Sequence, residues 1–215
     1  MMYRVVLWGT LGMLLMTGLQ PTVSQDIAAD DWLMRVQDRY AGLSGLQATY
    51  EQEVSTELNE GTEQRQGTLY ATPGAFRVEA DRQTIVSNSE TIWVHDEMRN
   101  QVIVSTPEEQ SPDLATPNTL FARFSDMFTV VASEETSEGT IRLSLEADDP
   151  TSDYDSMVLW VRPDDATITE LELTDGGGTH VRIQLSDMTF DPSFDEGMFT
   201  FEPPEGVEVV DLRDG

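Results

Sequence analysis

Strict alternation of apolar and polar residues runs through the second half of the chain and predicts antiparallel strands. Ile141, Leu143 and Leu145 alternate with polar side chains, and Val181 to Leu185 repeats the pattern. Side chains two apart share one face of a strand, so this sheet is expected to bury one face and wet the other. The predicted strands of this half are Phe128–Ala132, Thr140–Ala147, Met157–Arg162, Thr167–Thr174 and Thr179–Asp187.

The stretch from Gly67 to Asp96 predicts a meander of short strands. Pro73-Gly74 and Asp81-Arg82 are turn sequences, and Phe76, Val78 and Ala80 between them fall on one face of a strand. That face holds no polar atom suited to chemistry, which indicates a surface that holds an apolar ligand.

Strands are also predicted on both sides of this meander. Leu46 to Val54 alternates on the N-terminal side, with Asn59-Glu60-Gly61 as the hairpin tip that follows. Gln101 to Ser105 forms a strand on the C-terminal side, after a turn at Met98 to Asn100. Gly176-Gly177-Gly178 is predicted as a hairpin loop because a strand follows it, whereas a phosphate cradle requires a helix N-terminus.

Two segments have helical spacing. Trp32, Val36 and Tyr40 recur at that spacing from Asp30 to Gly42, and Asp30 or Asp31 is the predicted N-cap. A second helix is predicted from Asn118 to Met127, after a proline-containing loop over residues 106–118. Ten or more strands thus have two helices to cover their apolar face. The sheet is expected either to curl on itself or to keep part of that face for a ligand.

Charge excludes several classes of partner. Within 215 residues there are 40 acidic and 12 basic side chains, a formal net charge of -28, and every basic residue is Arg. Phosphate contacts need a clustered positive face, so we expect no nucleic acid and no adhesion to anionic lipid headgroups. A solvated acidic surface, suited to high salt, is the favoured interpretation over a dedicated cation site. The length predicts a single domain over residues 25–215.

The N-terminal residues predict export. Arg4 is followed by an apolar run from Val5 to Leu19, and small and polar residues lead to a predicted signal-peptide cleavage after Ser24. The run is short for a membrane span. The chain has no Cys, so it lacks the lipid-carrying first residue of a bacterial lipoprotein and is expected to be soluble after cleavage.

Candidate catalytic residues are few. His95 and His180, the two histidines, fall in strand patterns, and no G-x-S-x-G elbow accompanies them. Asp153 and Asp155 resemble a loose calcium loop, but the Gly and terminal Glu of that motif are missing. We therefore expect no enzyme activity, no cofactor and no metal.

A set of ordered motifs resembles the family of periplasmic outer-membrane lipoprotein carriers, LolA. The motifs are the Tyr50-Glu51-Gln52 strand, G-x-L-Y-x-x-P-x-x-F-R-V-E at 67–79, I-V-S-N-S-x-x-I-W-V-H-D at 85–96, Gln101-Val102, T-P-x-x-L at 116–120 and F-T-F-x-P-P-x-G-V-E-V-V-D at 199–211. Each motif is short, but together they follow one order over nearly the whole mature chain.

The resemblance implies a fold and a function. It implies a mainly β chain with some α, forming an incomplete antiparallel β-barrel of about ten or eleven strands, lidded by helices around a hydrophobic cavity. The implied function is that of a soluble periplasmic chaperone, expected to be a monomer, that binds the acyl chains of lipoproteins. Its implied partners are an inner-membrane ATP-driven transporter and an outer-membrane receptor.

Strand parity and the resemblance together predict the cavity. We expect Phe76, Val78, Ala80 and Ile85 to line it. The predicted lid side consists of Leu33, Val36, Leu120, Phe121 and Phe124.

Two positions depart from the family pattern. Thr72 stands where many family members have an Arg that latches the lid, and Ser87-Asn88-Ser89 replaces a Ser-Asp-Gly turn. Because Asn tolerates the left-handed conformation, this turn is expected to survive.

Two alternatives stay open at this point. One is a related periplasmic module that senses lipids or a protein partner with a similar half-barrel. The other is a hydrolase acting on an acyl or glycan substrate, which would require His95.

Overall fold

The alternating segments form the strands of one sheet in the computed structural model, which describes residues 28–56, 59–106 and 127–213. The strands are β1 (Leu46–Thr56), β2 (Asn59–Thr72), β3 (Ala75–Ala80), β4 (Gln83–Ser87), β5 (Ile92–Asp96), β6 (Gln101–Ser105), β7 (Phe128–Glu135), β8 (Ile141–Ala147), β9 (Tyr154–Val161), β10 (Ile168–Asp175), β11 (Thr179–Phe190) and β12 (Glu208–Asp211).

The sheet is open. Its 12 strands lie in the order β12-β6-β5-β4-β3-β2-β1-β11-β10-β9-β8-β7, so β12 and β7 are its two edges. All pairs are antiparallel except β12 with β6, where Val209 lies beside Val102 in a parallel ladder. The predicted fold class, an unclosed and mainly antiparallel sheet, is confirmed. The sheet exceeds the expected number of strands because β12 was not predicted.

Helix α1 (Ala29–Ala41) covers part of the apolar face. Trp32, Val36 and Tyr40 are its buried residues, and β7 and β8 are the strands it packs against most closely. The Tyr40 hydroxyl accepts a hydrogen bond from the Ile168 backbone N–H at 3.0 Å. Burial raises the pKa of Tyr40 to about 12, so this phenol stays neutral. Within the described residues, no helix is long and apolar enough to cross a membrane.

Three local predictions need correction. The N-cap of α1 is Ala28, without a side-chain cap, and Asp30 and Asp31 lie in the first turn instead, where the helix dipole favours acids. The Asn59-Glu60-Gly61 sequence belongs to β2, because the ladder with β1 extends to a Thr56–Asn59 pair. The predicted hairpin tip is therefore wrong.

The third correction concerns the turn at residues 87–89, which survives by a different means. Ser89, not Asn88, has the positive φ of 71°. The Asn88 side-chain oxygen accepts hydrogen bonds from the backbone N–H groups of Glu90 and Thr91, at 3.2 and 2.9 Å. Asn88 thus compensates for the turn's missing glycine by fixing the backbone that follows it.

A second apolar layer lies on the other face of β2 to β6. Residues 191–207, which we name the C-terminal cover, place Phe194 edge-on to Tyr70 with 6.2 Å between ring centroids. Phe199 packs on Phe194 at 5.3 Å, and Phe201 packs on His95 at 5.5 Å. The outward-facing Val86, Val102 and Val104 are buried, and none of them belongs to the main core cluster.

Truncating the cover is expected to weaken the fold measurably. Phe194→Ala removes two edge-to-face ring contacts from a half-buried site, so the free energy of unfolding should fall by about 2 kcal/mol. Urea denaturation checks this value. Met98→Ala, at a residue 72% exposed, is the control and should change stability by less than about 0.5 kcal/mol. Equal effects would contradict a packing role for the cover.

Salt is expected to stabilise the protein. Ion pairs such as Arg77–Glu79, at 2.7 Å, lie at the surface and contribute little, whereas the net charge of -28 repels itself in the compact state. Raising NaCl from about 0.01 M to about 0.5 M should therefore raise the free energy of unfolding by about 1–3 kcal/mol. A fall over this range would mean that the ion pairs outweigh the repulsion.

Candidate functional site

The inner face of the sheet, which faces α1, carries an apolar floor across β1 to β6. The floor has two rows of cross-strand neighbours. The lower row is Leu46, Ala71, Phe76, Ser87, Ile92 and Ser105. The middle row is Ala48, Leu69, Val78, Ile85, Val94 and Ile103. Every residue of the lower row is at most 5% exposed, whereas Val78, Val94 and Ile103 of the middle row are half-buried.

The structure places the predicted cavity residues of the meander together. Val78 and Ile85 are direct cross-strand partners, and Phe76 and Ala80 are on the same face of β3. Phe76 and Ile85 are 2% and 5% exposed, whereas Val78 and Ala80 are half-buried. The shared face is as predicted, and the contact of these residues with lipid stays a prediction.

The predicted lid residues are only partly described. Val36 is fully buried, and Leu33 is half-buried against the same core cluster that contains Phe76. The helix α1 that carries them packs most closely on β7 and β8, so α1 as a whole covers the far half of the sheet more than the floor. Leu120, Phe121 and Phe124 lie outside the described residues.

Thr72, the predicted latch position, ends β2. Its hydroxyl donates a hydrogen bond to the Ala75 carbonyl at 3.2 Å, which closes the turn into β3. Thr72 follows Ala71 of the floor, so its side chain leaves the strand on the outer side. Because Thr72 replaces the family Arg, we expect the latch to be either absent or supplied by another residue. Part of the lid lies outside the described residues, and this expectation stays a prediction.

A polar rim borders the floor on its upper side. This row continues the same register and consists of Tyr50, Gly67, Ala80, Gln83, Asp96 and Gln101, with the Gln52–Arg65 pair beyond it. Burial raises the pKa of the Tyr50 phenol, the nearby Arg65 charge lowers it, and Asp81 raises it. These charges therefore lie around the Tyr50 ring. The rim was not predicted from the sequence, although Ala48, Tyr50 and Gln52 share one face of β1 and could have indicated it.

The histidines are on the outer face of the sheet. His95 packs on Phe201, and His180 is exposed, with its Nδ1 3.0 Å from the Thr174 hydroxyl. In the part of the chain that the structure describes, no group of three or more His, Asp or Glu residues is arranged to hold a metal.

Comparisons with known proteins identify relatives over most of the chain. Residues 41–202 match the family model of the outer membrane lipoprotein carrier protein LolA. An outer-membrane lipoprotein carrier protein of Alkalilimnicola ehrlichii is 30% identical over 213 residues, covering 95% of this chain and 94% of the relative. A carrier protein of Alcanivorax borkumensis is 29% identical over 213 residues, covering 94% and 95%.

A solved structure supports the fold alone. An uncharacterized conserved protein from Thermus thermophilus superposes with a TM-score of 0.53 at 17% sequence identity. The match covers 85% of this chain and 98% of that protein.

Proposed function

Because this chain belongs to the LolA family of outer membrane lipoprotein carrier proteins, we propose that it binds the acyl chains of lipoproteins and carries them across the periplasm. The observation that carries this proposal is the apolar floor of β1 to β6. Its middle row leaves Val78, Val94 and Ile103 partly exposed, although all three are apolar and face inward. An acyl chain would complete their burial.

The proposed route is the one that the family resemblance implies. An inner-membrane ATP-driven transporter supplies the lipoprotein, and an outer-membrane receptor takes it. Cleavage after Ser24 releases the carrier into the periplasm. The carrier acts as a monomeric chaperone and does not transform its cargo.

Energetics favour a floor that is only partly open. At about 0.8 kcal/mol per buried CH₂, an acyl chain of roughly sixteen carbons contributes about 12 kcal/mol before the costs of binding. Several fully buried chains would approach the practical affinity ceiling of about 20 kcal/mol and would not be released. A carrier must bind its cargo less tightly than the receptor binds the same cargo. Side chains that pack on one another when the cavity is empty compete with the cargo and lower its affinity.

Mass spectrometry of the protein purified from a bacterial envelope tests the proposal. We expect acylated cysteine peptides or whole lipoproteins to copurify. A purified protein that carries free lipids or a non-acylated protein partner would favour the sensing module instead. The comparison sample is the variant Val78→Glu, which should lose acylated cargo, because the substitution puts a carboxylate on the partly exposed floor.

A further inference from the structure

The inner face becomes more polar along the strands, and the polar side chains of the rim lie in register on four of the six strands, β1, β4, β5 and β6. The lower row is buried and mostly aliphatic or aromatic, and the upper row contains Tyr50, Gln83 and Gln101. An acyl chain alone needs no such polar border. A polar border suits a ligand in which apolar chains are joined to a polar head.

The side chains of the rim have unused hydrogen-bonding capacity. Among the described residues, the Gln52 amide, the Gln83 amide and the Tyr50 hydroxyl have no hydrogen-bonding partner. Gln52 is only 9% exposed, so its amide is held at the floor's border rather than in open water. Arg65 uses one guanidinium nitrogen on Glu63, at 2.9 Å, and keeps its other donors available.

Charge around the rim is balanced, unlike the charge of the chain as a whole. A groove of about 570 Å³ adjoins the rim and is lined by Ala80 and Gln83 of the inner face. Its charged lining residues are three arginines and three acids, which cancel: Arg65, Arg82, Arg99, Glu63, Asp81 and Asp96. In a chain with 12 Arg and a net charge of -28, this neutral groove fits a neutral ligand.

We infer that the rim binds the polar head of the cargo, meaning the ester and amide carbonyls that join the acyl chains to the peptide. This inference rests on the proposed function. Ester carbonyls only accept hydrogen bonds, and the Gln52 and Gln83 amides, the Tyr50 hydroxyl and the Arg65 guanidinium are all donors. The rim thereby fixes how deep the acyl chains enter and which end of the cargo leaves first.

Binding of two fluorescent probes to Gln52→Leu and Gln83→Leu tests the inference. One probe is a synthetic peptide with an N-acyl, S-diacylglyceryl cysteine and a fluorophore at its C-terminus, and the other is the neutral apolar dye Nile red. Loss of one or two neutral hydrogen bonds should weaken lipopeptide binding about five- to tenfold. Nile red binding should stay within about twofold, because the floor is intact.

Gln47→Leu is the matched control, since Gln47 lies on the same strand as Gln52 but on the outer face. It should leave both probes unchanged, and circular dichroism should show equal folding for all variants. Unchanged lipopeptide binding in Gln52→Leu and Gln83→Leu would overturn the inference. An equal loss of binding of both probes would also overturn it. So would unchanged lipopeptide binding together with impaired release of lipoproteins from membranes, because the rim would then be a surface that contacts a protein partner.

Failure of the proposed function gives a different result. If the unmodified protein binds Nile red but not the lipopeptide, then the carrier proposal fails, and the rim has no cargo to bind.

Discussion

Val78→Glu is expected to abolish binding of a triacylated lipopeptide while the protein stays folded. Val78 lies in the middle row of the floor between Leu69 and Ile85. Because it is partly exposed in the empty protein, a glutamate there can keep its water. Acyl chains would remove that water, and burial of an unpaired carboxylate costs several kcal/mol, so affinity should fall at least about 100-fold.

Val131→Glu is the matched control for this prediction. It makes the same chemical change on β7 at a residue that is 51% exposed. Its lipopeptide affinity should stay within about twofold of that of the unmodified protein. Fluorescence titration measures both variants, with circular dichroism as the check on folding. Lipopeptide affinity of Val78→Glu equal to that of the control would contradict the assignment of the floor. Phe76→Glu is a poorer test, because Phe76 is 2% exposed and a charge there would also destabilise the fold.

Gly67→Ala is expected to destabilise the protein severely. A Cβ at this position would lie 2.0 Å from the Glu79 carbonyl oxygen and 2.9 Å from the Ala80 Cα, both backbone atoms of β3. The backbone of β3 cannot rotate away as a side chain could, so the β2–β3 pair must separate. We expect a loss of at least about 3 kcal/mol in the free energy of unfolding.

Gly61→Ala provides the comparison for this effect on the same strand. Among the described residues, no atom beyond the adjoining residues of the chain lies within 4 Å of a Cβ at Gly61, so that substitution should change stability by less than about 1 kcal/mol. Urea denaturation of both variants measures the difference. If the Gly67→Ala protein is as stable as the Gly61→Ala protein, then the backbone of β3 does not lie as close to Gly67 as the structure shows.

The sequence predicted those strands whose signal is local. Ile141, Leu143 and Leu145 alternate and are all buried in β8, and the turns at Pro73-Gly74 and Asp81-Arg82 separate β2, β3 and β4 as expected. Alternation and turn residues act over a few positions, so a single sequence is enough to detect them.

Features that depend on distant pairing were not predictable in this way. β12 has four residues and joins the sheet only because Val209 and Val210 meet β6, more than 100 positions earlier. The contacts of Phe194 with Tyr70 and of Phe201 with His95 are of the same kind. The C-terminal cover is not a helix or a strand, so its apolar residues do not recur at a fixed spacing that the sequence could reveal.

The apolar part of the candidate site was predictable, whereas within the polar part only Tyr50 and Gln52 of β1 could have been indicated by local alternation. Phe76, Val78 and Ile85 follow from strand parity within the meander. The rim requires the register that places Gln52 beside Arg65 and Ala80 beside Gln83, and that register joins separate strands. With 40 acidic residues in the chain, no polar position could be singled out by composition.

Release of lipoproteins from spheroplasts by the purified mature protein tests the carrier function most directly. The protein should release lipoproteins into the medium at low or high salt, buffer alone should release none, and Val78→Glu should release none while Val131→Glu remains active. If the unmodified protein releases no lipoprotein at any salt concentration, the carrier function is contradicted.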